Sequence, residues 1–359
     1  MPQTVDRPDG FTLRVGSDCS GMCSEVLALE LLLVPGRHSM THVFASDKEA
    51  WIRSFIKKVH SNVLTVWDDI NERDVNAMSH VHLYHSGFPC TPFSKSGTQA
   101  GAVDPNGNVF FSCYKYIARW LPSTFILENV ASLPTDFPEA FTLMLKMLAE
   151  IMEGTKGAYS IQFKIFNCLD YGLPQSRARV YVAGVRWTHM VNTFEWPAPS
   201  PTMRSLSSIL DLPSMGEPAP KPMIATNIKN LNSIMTKMID QNRELEFVNQ
   251  EYIHDLVSSK PGSSLDKCMT LTKTRCTANQ GYYCSKQNRP LYVADFLRLN
   301  GIPAKRFKGW YNHISRTRMA SMCGNGEALN VLTHIAKACL HSIGMEDTLS
   351  PDWTTMDLL

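Results

Sequence analysis

Between residues 13 and 187, short apolar runs alternate with stretches of helical period, and no other feature restricts the possible fold as much. LRVGSDCSG (13–21) reads as a strand ending in a turn and SEVLALELLL (24–33) as a helix. THVFASD (41–47) is a second strand and KEAWIRSFIKKV (48–59) a second helix. VHLYHSGFPC (81–90) is strand-like, VFFSCYKYIARWL (109–121) helical, TFILENV (124–130) a strand and FPEAFTLMLKMLAEIM (137–152) a helix. SIQFKIFNCLDY (160–171) and RARVYVAGVRW (177–187) close the series as strands. Alternation at this spacing predicts an α/β chain with a Rossmann-like, doubly wound parallel sheet.

After Trp187 the texture changes. WPAPSPTMRSL and LPSMGEPAPKP are proline-rich connectors. Residues 226–258 are polar with scattered apolar positions and predict one or two helices. Residues 260–290, rich in Gly, Ser, Thr, Asn and Lys, predict loops and short strands of a smaller second domain. Helical texture returns from Leu291, with an amphipathic stretch over Glu327–His341. The expected division is 11–187 as a first domain, 188–290 as the second, 291–345 as a return to the first, and 346–359 as a tail.

No run of 18 apolar residues exists, and the N-terminal MPQTVDRPDG is polar, so neither a membrane span nor a signal peptide is expected. Ten cysteines in such a chain predict free thiols in a reducing, intracellular setting, nuclear in a eukaryote or cytoplasmic in a bacterium. They do not form CxxC pairs, and no metal site is expected, the even spacing of Cys268, Cys276 and Cys284 notwithstanding. The formal net charge is only +2, but residues 267–318 hold eleven Lys/Arg and one acid, Asp295. Such a segment is either a solvated basic face or a footprint for phosphates.

Several short patterns carry chemistry. In SGFPCTPFS (86–94), Pro89 and Pro92 fix φ and stiffen the backbone on both sides of Cys90, as suits a nucleophile held at one angle. Asp18 to Gly21 form a polar turn after the first strand, and Asp47 ends the second. An acid there can take a ribose hydroxyl, and without GxGxxG the pattern suits a nucleoside better than a pyrophosphate; a plain tight βα turn is the alternative. The third strand region offers VWDDI, where Asp69 either accepts a bond from an exocyclic amine or caps a turn. Glu128 ends an apolar strand, as catalyst or cap. Arg177 and Arg179, two apart, should face one side of a strand, in a site or on an edge. Asn325, in Gly-Asn-Gly, opens the last helix.

The order of these pieces resembles the cytosine carbon-5 DNA methyltransferase family over roughly residues 13–340. SGFPCTPFS is similar to its Pro-Cys loop, DCSGMCSEVLALE to its first cofactor motif, and LDYGLPQSRARVYVAGVR to its arginine motif. RPLYVADFLRLNGIP resembles the stretch after its target-recognition domain. The resemblance implies a catalytic domain with a smaller target-recognition domain. It implies a methyl group taken from S-adenosylmethionine and delivered to carbon 5 of a cytosine flipped out of double-stranded DNA. Cys90 is then the thiolate that adds to carbon 6, a positioning problem for its two prolines. Glu128 contacts ring N3 and the amine, and for that role is expected to carry a raised pKa; Arg179 holds O2 with Arg177 as its support. Asp18, Cys19, Ser20, Gly21, Asp47, Asp69, Ile70, Pro89, Val109 and Asn325 fall on cofactor positions. Lys273, Arg275, Lys286 and Arg289 are candidate DNA contacts within a monomeric catalytic unit. The chain departs from the family at Thr91, Cys19, Cys23 and Glu327. A tRNA-methylating branch shares the catalytic set but carries a Cys-Phe-Thr tripeptide absent here, which favours DNA; a catalytically silent DNA-binding relative would have no reason to keep Cys90, Glu128 and Arg179 together.

Overall fold

A computed structural model of the chain describes residues 10–89, 108–200, 202–218, 221–278 and 280–359. Cys90 therefore lies outside the described residues. Two compact units emerge. The first comprises Met1–Phe166, Arg179–Ala198 and Leu332–Pro351; the second comprises Asn167–Ala178, Pro199–Val331 and Asp352–Leu359. The chain re-enters the first unit at Leu332 rather than near residue 291, and its last eight residues belong to the second unit, where Leu358 and Leu359 accept backbone bonds from Ala304 and Lys305.

The first unit is built on β1 (Thr12–Asp18), β2 (Ser39–Ser46), β3 (Thr65–Trp67), β4 (Leu83–Ser86), β5 (Thr124–Val130), β6 (Tyr159–Asn167) and β7 (Ala178–Arg186). They form one sheet in the order β3-β2-β1-β4-β5-β7-β6. Helices α1 (Ser24–Glu30), α2 (Ala50–Val59), α3 (Asn108–Trp120), α4 (Leu133–Asp136) and α5 (Pro138–Ala149) connect the strands. The pairs β1–β2, β2–β3, β1–β4 and β4–β5 are parallel, as expected for a doubly wound sheet, and the Phe125–Leu127 run of β5 is apolar and fully buried, as in a strand covered on both faces. The last strand differs: β7 runs antiparallel to β5, because the short link from β6 holds no crossover helix. The chain winds outward through β2 and β3, then returns to β4 on the other side of β1, so the switch point falls between β1 and β4. Gly16 is required where β1 passes β2, since a Cβ there would lie 2.3 Å from the ring of Phe44.

In the second unit, strands Gly262–Leu265, Tyr252–Asp255, Tyr282–Cys284 and Arg289–Pro290 form an antiparallel sheet in that spatial order. Helix Ala225–Asp240 buries Ile234 and Met238 against Tyr252, Leu256 and Tyr283. Strand Tyr252–Asp255 falls inside the stretch expected to be helical; its backbone pairs on both sides, and that pairing overrides a weak helical pattern. All nine described cysteines are free thiols. Among the described residues no helix is long and apolar enough to cross a membrane.

Candidate active site

The carboxyl ends of β1, β2, β3 and β4 bring Asp18, Asp47, Asp69 and Phe88-Pro89 to one edge of the first unit's sheet. After β1 the chain turns through three left-handed residues, Cys19 (φ 54°), Gly21 (φ 52°) and Cys23 (φ 57°). A Cβ on Gly21 would meet nothing within 4 Å, so glycine here eases the left-handed backbone angle and does not serve close approach. The turn is stitched to β2: Ser20 N–H donates to the Ser46 carbonyl (2.9 Å), Ser46 N–H to Ser20 Oγ (2.9 Å), and Gly21 N–H to Asp47 Oδ2 (3.3 Å).

Two aspartates at this edge differ in kind. Asp18 is wholly buried. The Arg73 guanidinium donates to both of its oxygens, Tyr84 Oη to Oδ2 (2.6 Å) and Ser46 Oγ to Oδ1 (2.6 Å). Burial opposes the charge on Arg73, but the attraction of Asp18 prevails and holds its pKa above the ordinary value. Asp18, expected at a cofactor position, has its carboxylate enclosed by these partners and anchors the turn from beneath. Asp47 is half-buried, accepts N–H bonds from Gly21 and Glu49, and burial pushes its carboxyl up from the ordinary value. Asp69 accepts from Asn71 N–H (2.8 Å) in a turn. Ile70 and Val109 belong to one apolar cluster, against which Cys19 packs.

On the neighbouring strands, Glu128 and Arg179 form an ion pair, Nε to Oε1, at 3.0 Å. Arg179 stands opposite Val130 and Tyr181 opposite Glu128, so the pair is a diagonal contact on one face of the β5–β7 ladder. The Arg179 and Glu128 side chains keep 17% and 10% exposure, so the pair is not wholly sealed from solvent. Asn129, the next residue, donates to the Phe88 carbonyl (3.1 Å), and Phe88 packs near Phe110 with ring centroids 5.9 Å apart. The strand that carries Glu128 thus also fixes the backbone leading to Pro89, the last described residue before Cys90. Asn129, Arg73 and Tyr84 were missed by sequence reasoning; the ENV tripeptide was the one available signal for Asn129.

The two arginines do not share a strand face. Arg177 lies ahead of β7, in the second unit, and is 2% exposed. Its guanidinium donates to the carbonyls of Leu271 (2.6 Å), Gly326 (2.8 Å) and Gly324 (3.4 Å). It clamps the backbone on both sides of Asn325, which is itself exposed.

The four candidate DNA contacts separate in the same way. Arg275 pairs with Asp255 (2.6 Å), Lys286 with Glu251 (3.1 Å) and Arg289 with Asp295 (2.6 Å). Arg298 and Arg316, in the same basic segment, face Asp295 and Glu217. Lys273 is exposed, as are Lys267 and Lys308, with no ion-pair partner among the described residues.

The family profile described as C-5 cytosine-specific DNA methylase matches residues 27–341. The type II methyltransferase M.NgoBI of Neisseria gonorrhoeae is 26% identical over 304 residues, which span 84% of this chain and 87% of that protein. M.HaeII of Haemophilus aegyptius is 27% identical over 310 residues, 85% of this chain and 87% of the relative. Among solved structures, the Entamoeba histolytica methyltransferase EhMeth superposes with a TM-score of 0.62 at 14% identity, covering 92% of this chain and 98% of the other, a likeness of fold. The S. pombe Dnmt2 methyltransferase gives 0.59 at 18% identity, covering 92% and 99%.

Proposed function

The chain belongs to the C-5 cytosine-specific DNA methylase family and is a DNA cytosine-5 methyltransferase; from that premise we propose that it methylates a flipped-out cytosine of duplex DNA through a covalent adduct on Cys90. The observation that carries this is the incompletely sealed Glu128–Arg179 pair on the same strand end whose Asn129 holds the approach to Cys90. The Cys90 thiolate adds to carbon 6, and the electron pair moves into the ring toward carbon 5. Arg179 faces O2 and Glu128 faces N3 and the amine, so the charge that builds up there meets a fixed cation and a proton-exchanging acid. Carbon 5, now nucleophilic, gains the methyl group and loses its proton to a base, for which a water suffices. Departure of the sulfur from carbon 6 restores the double bond and frees Cys90.

The donor proposed is S-adenosylmethionine, and the residues at the sheet edge fit it. Asp47 offers a half-buried carboxylate for ribose hydroxyls, and Ile70 and Val109 offer an apolar wall for the base. When bound, it supplies an electrophilic methyl group. Asp18, with Arg73, keeps the Cys19–Cys23 turn in place, and Arg177 does the same for the backbone around Asn325. Lys273 is the favoured phosphate contact of the four candidates, because its charge is not neutralised within its own unit.

Transfer of label from tritiated cofactor to duplex DNA and to tRNA, run in parallel, tests the reading. Label in DNA, none with Cys90→Ala despite intact cofactor binding, and a covalent adduct with 5-fluorocytosine DNA are expected. Turnover by Cys90→Ala would overturn the assigned nucleophile, and label in tRNA alone would overturn the assigned substrate.

A further inference from the structure

We propose that Cys23, Glu25 and His42 form a binding site for a divalent transition-metal ion, zinc by preference, beneath the turn that joins β1 to α1. The cysteine pattern along the chain had pointed away from any metal. Folding nevertheless brings together a thiol, a carboxylate oxygen and an imidazole nitrogen, all within 4.8 Å of one another. The three residues are sealed from solvent, at 0%, 2% and 0% exposure.

His42 makes the strongest case. Both of its ring nitrogens are buried without a partner at full hydrogen-bond geometry, although the Phe44 backbone interacts with the ring and His60 stands edge-on to it at 6.0 Å between centroids. A buried polar atom left unpaired costs roughly 1–3 kcal/mol, so a site of this kind calls for a partner. His42 owes its direction to an irregularity in the ladder: Val15 pairs with His42, but Gly16 pairs with Phe44, so β2 carries an extra residue there. Bulges of this kind re-aim side chains and recur beside functional sites.

Cys23 points the same way. It is the N-cap residue of α1, held in the left-handed region at φ 57°, and its thiol makes no capping bond. Side chains in that conformation persist where surrounding structure requires them. Glu25 is steadied by Ser17 Oγ, which donates to Oε1 at 2.6 Å, and His85 Nδ1 lies 3.7 Å from Oε2. These outer contacts are the kind that orient metal ligands.

The donor set selects the ion. One thiolate and one carboxylate balance a 2+ charge, and sulfur with imidazole nitrogen suits zinc, whereas magnesium and calcium take oxygen ligands. Binding exchanges the thiol proton for the metal: Cys23–SH releases H+ to solvent and its sulfur lone pair forms the metal bond, with no change of oxidation state. A contraction of the three donors reaches bond lengths of about 2.0–2.3 Å, with a water completing four-coordination. The ion would tie the first turn of α1 to β2 on the two flanks of the Gly21 turn.

The full chain, stripped by chelator, is titrated with cobalt(II) as a coloured stand-in for zinc. One cobalt per chain is expected, with a thiolate-to-metal charge-transfer band that zinc abolishes. Cys23→Gly is the chosen variant because glycine accepts φ 57° without strain. It should lose the band and bind zinc more weakly by a larger factor than the ~10–100-fold typical of losing an outer partner. Zinc should raise the unfolding midpoint of the parent chain and leave that of Cys23→Gly unmoved. His42→Gln, judged by its own circular dichroism, repeats the test should Cys23→Gly fail to fold. A parent chain without the band, or a band that survives in either folded variant, overturns the site.

Discussion

Arg73→Met should expose how much the turn after β1 depends on its buried ion pair. The Arg73 and Asp18 side chains are 2% and 0% exposed, and the guanidinium engages both carboxylate oxygens. In the variant, Asp18 keeps its bonds from Tyr84 and Ser46 but loses its countercharge in a place water does not reach. Removing one partner of a buried pair costs ~3–5 kcal/mol. The guanidinium lies 5.7 Å and 6.0 Å from the Phe44 and Tyr116 ring centroids, and methionine retains an apolar stem there, so packing adds only about 1 kcal/mol. Asp18→Asn combined with Arg73→Met removes both charges; the amide oxygen accepts from one of the two hydroxyls and its NH2 donates to the other. The double variant should therefore be at least ~2 kcal/mol more stable than Arg73→Met alone, a non-additivity typical of residues in contact. Equilibrium urea unfolding followed by tryptophan fluorescence measures the cycle, and calorimetric titration with S-adenosylmethionine reads the turn directly. Cofactor affinity should fall with Arg73→Met and partly recover in the double variant. An Arg73→Met chain within ~1 kcal/mol of the parent, or a double variant no better than the single, refutes the anchoring role.

Asn129→Ala removes the bond that holds the Phe88 carbonyl; it should lower kcat while leaving cofactor affinity intact, and steady-state kinetics beside calorimetry separates the two. In the second unit, Glu217 accepts the Val293 and Ala294 N–H groups, yet burial pushes its pKa up from 4.5 to about 6. A carboxyl raised on folding favours the protonated folded state, so its contribution is full below pH 4.5 and lost as pH rises through 6, about 2 kcal/mol in all. Glu217→Gln should flatten that part of the stability profile in urea titrations between pH 4 and 7. Lys273→Ala should weaken DNA binding and reduce the salt slope by about one, whereas Arg275→Ala should mainly destabilise the unit through loss of Asp255 pairing. Fluorescence anisotropy over a salt series, together with thermal melts, distinguishes them.

The parts of the site that were legible in the chain are those whose chemistry depends on near neighbours in sequence. SGFPC advertises a stiff backbone because proline acts on its own φ and on the residue before it. LENV places an acid at a strand end, and the alternation of apolar runs sets that strand within a parallel sheet. Asp47 is legible in the same way, as the residue after a strand. Arg177 and Arg179 show the limit. Strand period puts both on one face, but β7 starts at Ala178, so the rule applies only to Arg179.

Periodicity and turn chemistry act over a few bonds, and the chain alone therefore determined the α/β class, the alternation of strands and helices in the first unit, and the candidates Cys90, Glu128 and Arg179. Tertiary structure decided which charges face a partner. Asp18 looked available until Arg73, 55 residues on, closed over it. The segment 267–318 looked strongly basic because the acids that answer it, Asp255, Glu251 and Glu217, sit outside it in the sequence. Cys23, Glu25 and His42 formed no motif until β2 bulged beside β1. Coulomb energy and metal coordination depend on distance through space, and distance along the chain is a poor guide to it.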